Sequence, residues 1–347
     1  METSLRFSVD PGQEPLRLDK FLVQRIKQTT RNRIQRSILE GRVQVNGKAI
    51  FSSSKKIQGG DFIHLELPSP IHKDPFSPKP QNIPIEVVYE DDSVLVVNKE
   101  AGMVVHPAHG HWEGTLLNAV AHHLGYDQDD AHADSGILAE DSLYRLGLVH
   151  RIDKDTSGLL VIAKTRRAQL SLNEQWTSQK VFRKYLALVW GVPDPAEGSL
   201  TKSMGRDPRN RQKMTTFGES EGGKKACTHY RILKNFHYTC LVECRLETGR
   251  THQVRVHMED FGHPIFGDPV YGGASVQLER ESPRAKLGEY RAFVRSCLYL
   301  LPRQALHAES LAFRHPETGQ PCEFFSSPPR DMQEVLDKWE EFLLTQE

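Results

Sequence analysis

The chain has 347 residues, 38% hydrophobic and 26% charged, and its 45 Lys and Arg balance 45 Asp and Glu. These values are ordinary for a soluble globular protein with room for a large catalytic domain and an accessory one, and zero net charge argues against a protein that coats nucleic acid uniformly. The five cysteines (Cys227, Cys240, Cys244, Cys297, Cys322) form no C-x-x-C pair, so reduced thiols are expected, with neither disulfides nor zinc.

Residues 1–14 lack a basic start and an apolar stretch and read as an N-terminal tail, not a secretory signal; with apolar runs too short to span a bilayer, a cytoplasmic protein without a membrane partner is expected. Charge is unevenly spread. Between Pro15 and Gly60 eleven Lys and Arg face only Asp19 and Glu40, a net +9. There Leu18, Phe21, Leu22 and Ile26 recur at helical spacing, and Thr29 or Thr30 can cap a second helix ending at Gly41. Val43 and Val45 alternate into the Asn46-Gly47 turn, and Ile63, Leu65 and Leu67 alternate again. Residues 15–67 therefore read as a small α/β module in which Arg25, Arg31, Arg33 and Arg36 leave the apolar stripes free to meet RNA phosphates.

Five prolines between Pro68 and Pro80 mark residues 68–82 as a stiff linker, so the second domain is placed at 83–347. Strands are predicted at 85–89 and 94–97, a helix around Leu116 to Leu124, and apolar runs at 146–152 and 159–164 that leave Asp153 on a loop between strands. The acidic stretch from Tyr126 to Tyr144 reads as a solvated loop. Further strands are expected at 184–190, 227–233, 238–246, 306–313 and 322–325. Helices are expected at 251–261, with Val254, Met258 and Phe261 facing the core, and at 331–344. Arg206, Arg209, Arg211 and Lys213 crowd a loop suited to gripping phosphates. The fold class is α+β with a mostly antiparallel, mixed sheet.

A loop carboxylate alone is as easily a turn residue as a catalytic one. His150-Arg151-Ile152-Asp153 departs from the kinase H-R-D loop by its inserted Ile, and Asp260-Phe261-Gly262 follows no Gly-rich loop. Gly218 to Lys225 approaches a P-loop, but Lys225 stands where the hydroxyl belongs. His252 and His257 lie on different helix faces, which argues against a metal.

The run Gly147-Leu148-Val149-His150-Arg151-Ile152-Asp153-Lys154-Asp155-Thr156-Ser157-Gly158-Leu159 resembles the active-site signature of the RluA family of RNA pseudouridine synthases. The resemblance extends to Val104-Val105-His106-Pro107, Lys184-Tyr185, Thr248 to Met258, Gly267 to Gly272 and Gln304 to Ala308, and looks most like the RluD branch, which modifies large-subunit ribosomal RNA. Residues 15–67 look like the alpha-L RNA-binding domain. The resemblance implies a cofactor-free isomerase with Asp153 as catalytic carboxylate, Arg255 as its ion-pair partner, Tyr185 stacking on the uracil and Arg151 contacting RNA as the nucleotide leaves the stack. Transfer RNA as substrate, or an RNA-binding or ribosome-assembly protein with secondary catalysis, are the alternatives.

Overall fold

The structure is a computed structural model and describes residues 3–26, 31–67, 78–107, 111–126, 147–210, 213–218, 222–275 and 287–344. Thr29, Thr30, Arg211, most of the acidic stretch and residues 68–77 of the Pro-rich segment lie outside the described residues, as do the side chains of Arg33 and Arg36. The chain divides into two compact units, with the break after Ser77.

In the first unit, β1 (Thr3–Ser8), β2 (Leu16–Arg17), α1 (Leu18–Arg25), α2 (Arg31–Leu39), β3 (Val43–Val45), β4 (Lys48–Ala49), β5 (Lys56–Ile57) and β6 (Phe62–Leu67) follow in order. The antiparallel sheet runs β1-β6-β3-β4, and Asn46 and Gly47 both take positive φ in the turn between β3 and β4. Thr3–Ser8, read as part of a tail, thus form a strand of the sheet. Leu5 and Phe7 alternate with polar neighbours along β1, as a half-buried strand requires, and pack on the core of Leu18, Phe21, Leu22, Ile34, Ile38, Ile63 and Leu65.

The second unit begins earlier than the sequence indicates. Asn118 Nδ2 donates to Lys79 O, and Gln81 N donates to Asn118 O, tying the last residues assigned to the linker to the second unit. Prolines there stiffen a segment that is docked rather than free.

Next come β7 (Glu86–Glu90), β8 (Val94–Lys99), α3 (Leu116–His123), β9 (Ser157–Ala163), α4 (Arg166–Thr177), β10 (Phe182–Trp190), β11 (Glu197–Arg206) and β12 (Met214–Phe217). They are followed by β13 (Lys224–Asn235), β14 (Thr239–Leu246), α5 (Gln253–Asp260), α6 (Leu287–Leu300), β15 (Leu306–Arg314), β16 (Pro321–Phe325) and α7 (Arg330–Leu344). The sheet runs β12-β11-β13-β14-β10-β15-β9-β8-β7, with β16 added to β15, and all its described pairs are antiparallel except β9 with β15. Thr115 and Asn118 form a capping box at α3, and Thr165 caps α4. Trp339 of α7 is fully buried against Trp190, Phe266 and Phe293, closing α6 and α7 over one end of the sheet.

Residues 147–152 are not a strand. Only Leu148 bridges to Ile162, because Gly147 turns at φ 71° and His150 takes over a backbone role by accepting a bond from Val161 N at 3.1 Å. The Asp153 loop instead leads into β9, where Gly158 lies opposite Ala308 of β15. Its φ is 115°, and a Cβ there would overlap the Ala308 carbonyl oxygen. Gly158→Ala is expected to cost at least about 1–3 kcal/mol from backbone strain alone. Chemical denaturation checks this, and an unchanged midpoint would contradict it.

Candidate active site

Asp153 sits on a loop clamped from two sides. Lys99, at the end of β8 and only 2% exposed, donates through Nζ to the carbonyls of Glu100, Met103 and Lys154 at 2.7–3.0 Å. From the other side Arg303 donates to Asp155 O, while its guanidinium makes two 2.7 Å bonds to Asp331 of α7. Gln304 Nε2 bonds Thr156 Oγ1, and Ser157 Oγ bonds His307 Nδ1. Each partner lies far away in sequence, so the loop is positioned by the whole fold rather than by its own turn propensity.

Burial pulls the Lys99 ammonium down to about 7 from its ordinary 10.5, with nearby Asp155 opposing the shift. Between those values the unfolded chain binds a proton that the folded one releases, so this group makes stability rise with pH across that window. Compared with Lys99→Met, the wild type is expected to show an added slope of up to about 1.4 kcal/mol per pH unit there. Denaturation at pH 7, 8.5 and 10 checks it; parallel profiles for the two proteins would contradict it.

Arg255 reaches the site from the first turn of α5. That helix is started by Gln253, whose amide oxygen accepts from Thr248 Oγ1 and Arg250 N while its Nε2 donates to Cys227 O and Thr228 Oγ1. The guanidinium Nη1 donates to Asp153 Oδ2 at 3.0 Å. Its Nε and Nη2 meet both oxygens of the fully buried Asp268 at 2.7 and 3.0 Å. Arg255 is itself 5% exposed, so it belongs to the interior rather than to a face turned away from the core. Despite the cost of burial, its pKa is held above the ordinary arginine value, with Asp268 the strongest support and Asp153 adding to it.

Asp268 lies within the Gly267 to Gly272 motif, where residue order alone assigns it no role. It also accepts the Val270 and Tyr271 N–H groups, so one carboxylate shapes the 268–271 turn and fixes Arg255. The Tyr271 ring lies 4.9 Å from the Arg255 guanidinium.

Tyr185 of β10 is 7% exposed. Burial raises its pKa, Asp153 adds to that rise, and Arg183 opposes it, so the phenol stays protonated at neutral pH. That favours stacking over proton abstraction. His150, in the core of the motif, is drawn down to about 3 by desolvation and by the Arg183 charge. It is stacked on Trp176 at 4.7 Å and accepts the Val161 N–H, both architectural roles for a neutral imidazole.

Arg151 is exposed beside this centre, with Nη1 donating to His106 Nε2 at 3.1 Å. Arg206 ends β11 rather than lying in a loop, and Arg209 is exposed in the turn toward β12. In the other unit, Asp19 is fully buried and collects Arg17, Arg31 and Gln35, so Arg31 is bonded to an internal carboxylate at 2.8 Å. Arg25 pairs with exposed Asp10 at 3.2 Å. His252 and His257 do not converge: His257 Nδ1 pairs with Thr228 Oγ1, whereas His252 faces Asp153. Among the described residues, Cys227, His229 and Glu247 bring potential ligand atoms within 4.8 Å of one another, a grouping not read from sequence because β13 and the end of β14 join only in the fold. No described helix is long and apolar enough to cross a membrane.

Residues 93–260 match the RNA pseudouridylate synthase family, and residues 16–63 match the S4 domain. An uncharacterized RNA pseudouridine synthase of Chlorobaculum parvum is 43% identical, covering 96% of this chain and 97% of its own length. A Zymomonas mobilis protein named ribosomal large subunit pseudouridine synthase D is 42% identical, covering 91% and 92%. In fold, human RNA pseudouridylate synthase domain containing 4 is similar with a TM-score of 0.53 at 24% identity, covering 74% of this chain and 93% of that one. With relatives of this similarity spanning nearly its entire length, the chain belongs to the RNA pseudouridine synthases of the RluA family, carrying an S4 domain ahead of its catalytic unit.

Proposed function

We propose that this pseudouridine synthase isomerises uridines of large-subunit ribosomal RNA and that Asp153 is its catalytic carboxylate. The supporting observation is the asymmetry of Asp153: Oδ2 is held by Arg255, while Oδ1 faces His252 at 3.8 Å, beyond hydrogen-bond range. One oxygen is anchored and the other is available to the ribose. Isomerisation breaks the N1–C1′ bond, turns the uracil and joins C5 to C1′, with N1 gaining a proton as C5 loses one. A carboxylate paired with a fixed cation suits either attack at C1′ or the proton removal that forms a glycal. Tyr185 supplies a buried ring for the uracil, Arg151, Arg206 and Arg209 meet RNA, and Arg211, outside the described residues, is assigned the same role from its sequence position. Arg25, Arg31, Arg33 and Arg36 of the S4 unit add phosphate contacts. The ribosomal target draws on relatives named ribosomal large subunit pseudouridine synthase D in Zymomonas mobilis, Xylella fastidiosa and Nitrosomonas europaea. Pseudouridine mapping in cells lacking the protein is expected to show losses in large-subunit ribosomal RNA; losses confined to transfer RNA would overturn the target.

A further inference from the structure

We propose that His252, held by Tyr271, is a positioning residue for Asp153 and links the β11–β12 hairpin to the carboxylate. The inference rests on the reading of Asp153 as the catalytic carboxylate. His252 is the N-cap of α5 and adopts φ 56°, ψ 23°, the left-handed region that non-glycine residues seldom enter. Its side chain makes no capping bond to the helix. The conformation instead sends the imidazole toward Asp153, while Gln253 pins the following turn, so the surroundings hold a backbone geometry that helix formation alone does not require.

The ring is oriented by a chain of hydrogen bonds. Met214 N, at the start of β12, donates to Tyr271 Oη at 2.9 Å, which leaves the phenol hydrogen to be given to His252 Nδ1, also at 2.9 Å. A neutral imidazole that accepts at Nδ1 carries its proton on Nε2. Nε2 is the atom that faces Asp153 Oδ1, the oxygen not bonded by Arg255. At 3.8 Å the contact is open, and a shift of less than 1 Å brings it into hydrogen-bond range. Arg255 and His252 therefore address different oxygens of one carboxylate. Lys213, next to Met214, places Nζ 5.6 Å from the Tyr271 ring, so both residues at the base of β12 touch the tyrosine that orients His252. RNA gripping this hairpin would be registered at Asp153 through Tyr271 and His252.

The charged groups that act on the imidazole are Asp153, Arg255, Asp268 and Arg151. Desolvation is the strongest influence and, with the two arginines, outweighs the carboxylates, so His252 lies below the ordinary histidine value and is neutral at pH 7. Protonation would disturb the arrangement by making Nδ1 a second donor toward Tyr271.

The test compares full-length variants on in vitro transcribed ribosomal and transfer RNA tritiated at uracil C5, following tritium release. His252→Asn tolerates the left-handed backbone but is too short to reach Asp153, whereas His252→Gln carries an amide N–H to the position of Nε2. For Asn, kcat is expected to fall roughly 10- to 100-fold with KM for RNA nearly unchanged. Gln should recover most of that loss, and Tyr271→Phe should lower kcat in the same direction. An Asn variant with kcat within about twofold of wild type, equal losses in Asn and Gln, or a rise in KM alone would overturn the proposal. Asp153→Asn is run alongside. If it retains turnover, the reading of Asp153 fails and takes this one with it; if it is inactive while His252→Asn is unaffected, this inference alone fails.

Discussion

Asp153→Asn is expected to abolish pseudouridine formation, lowering turnover by at least about 10⁴-fold, the order of loss when a residue at the centre of covalent catalysis is removed. The amide has nearly the same shape, and Arg255 keeps both of its bonds to Asp268, so the substitution leaves no unpaired buried cation. Folding and RNA affinity are therefore expected to stay close to wild type. Quantification of pseudouridine in single-turnover reactions, with RNA affinity measured at fixed salt, separates the chemical step from binding. Retained turnover would show that the carboxylate is dispensable. A large loss of RNA affinity would instead make Asp153 a binding residue.

Asp268→Asn is expected to lower both stability and activity. The wild-type carboxylate accepts two bonds from Arg255 together with the N–H groups of Val270 and Tyr271, all in a buried setting. An amide has one acceptor oxygen and no charge, so it cannot serve both arms of the guanidinium. Removing one partner of a buried ion pair costs about 3–5 kcal/mol, and that loss is expected in urea denaturation. The arginine is then left with Asp153 as its counter-charge, which ties up the carboxylate proposed to react. Turnover should fall as well, even at temperatures where the variant remains folded. A stability change below about 1 kcal/mol would show that the pair is not a structural anchor.

Much of this protein is legible in local sequence. Alternation at Val43, Val45, Ile63 and Leu65, and the Asn46-Gly47 turn, define the small sheet of the S4 unit because side-chain direction in a strand has a period of two. The alternating segment at β1 carries the same signal in Leu5 and Phe7, but its partner β6 lies about sixty residues away, so an isolated reading leaves it as a tail. Run length misleads at residues 146–152, where the apolar side chains are real but Gly147 and His150 divert the backbone from the sheet.

The proposal for Asp153 starts from the sequence, since a motif of thirteen consecutive residues is a signature that survives without coordinates. The ion pair with Arg255 was implied by resemblance and is seen as a 3.0 Å bond. What only the tertiary structure decided was the environment that sets the chemistry. Asp268 holding Arg255, Lys99 and Arg303 gripping the loop, and Tyr271 turning His252 toward Oδ1 depend on contacts between segments as many as 148 residues apart. Residue order records which groups are available. Their hydrogen-bond partners, burial and protonation depend on distances that exist only after the sheet has brought β8, β9, β15 and α5 together.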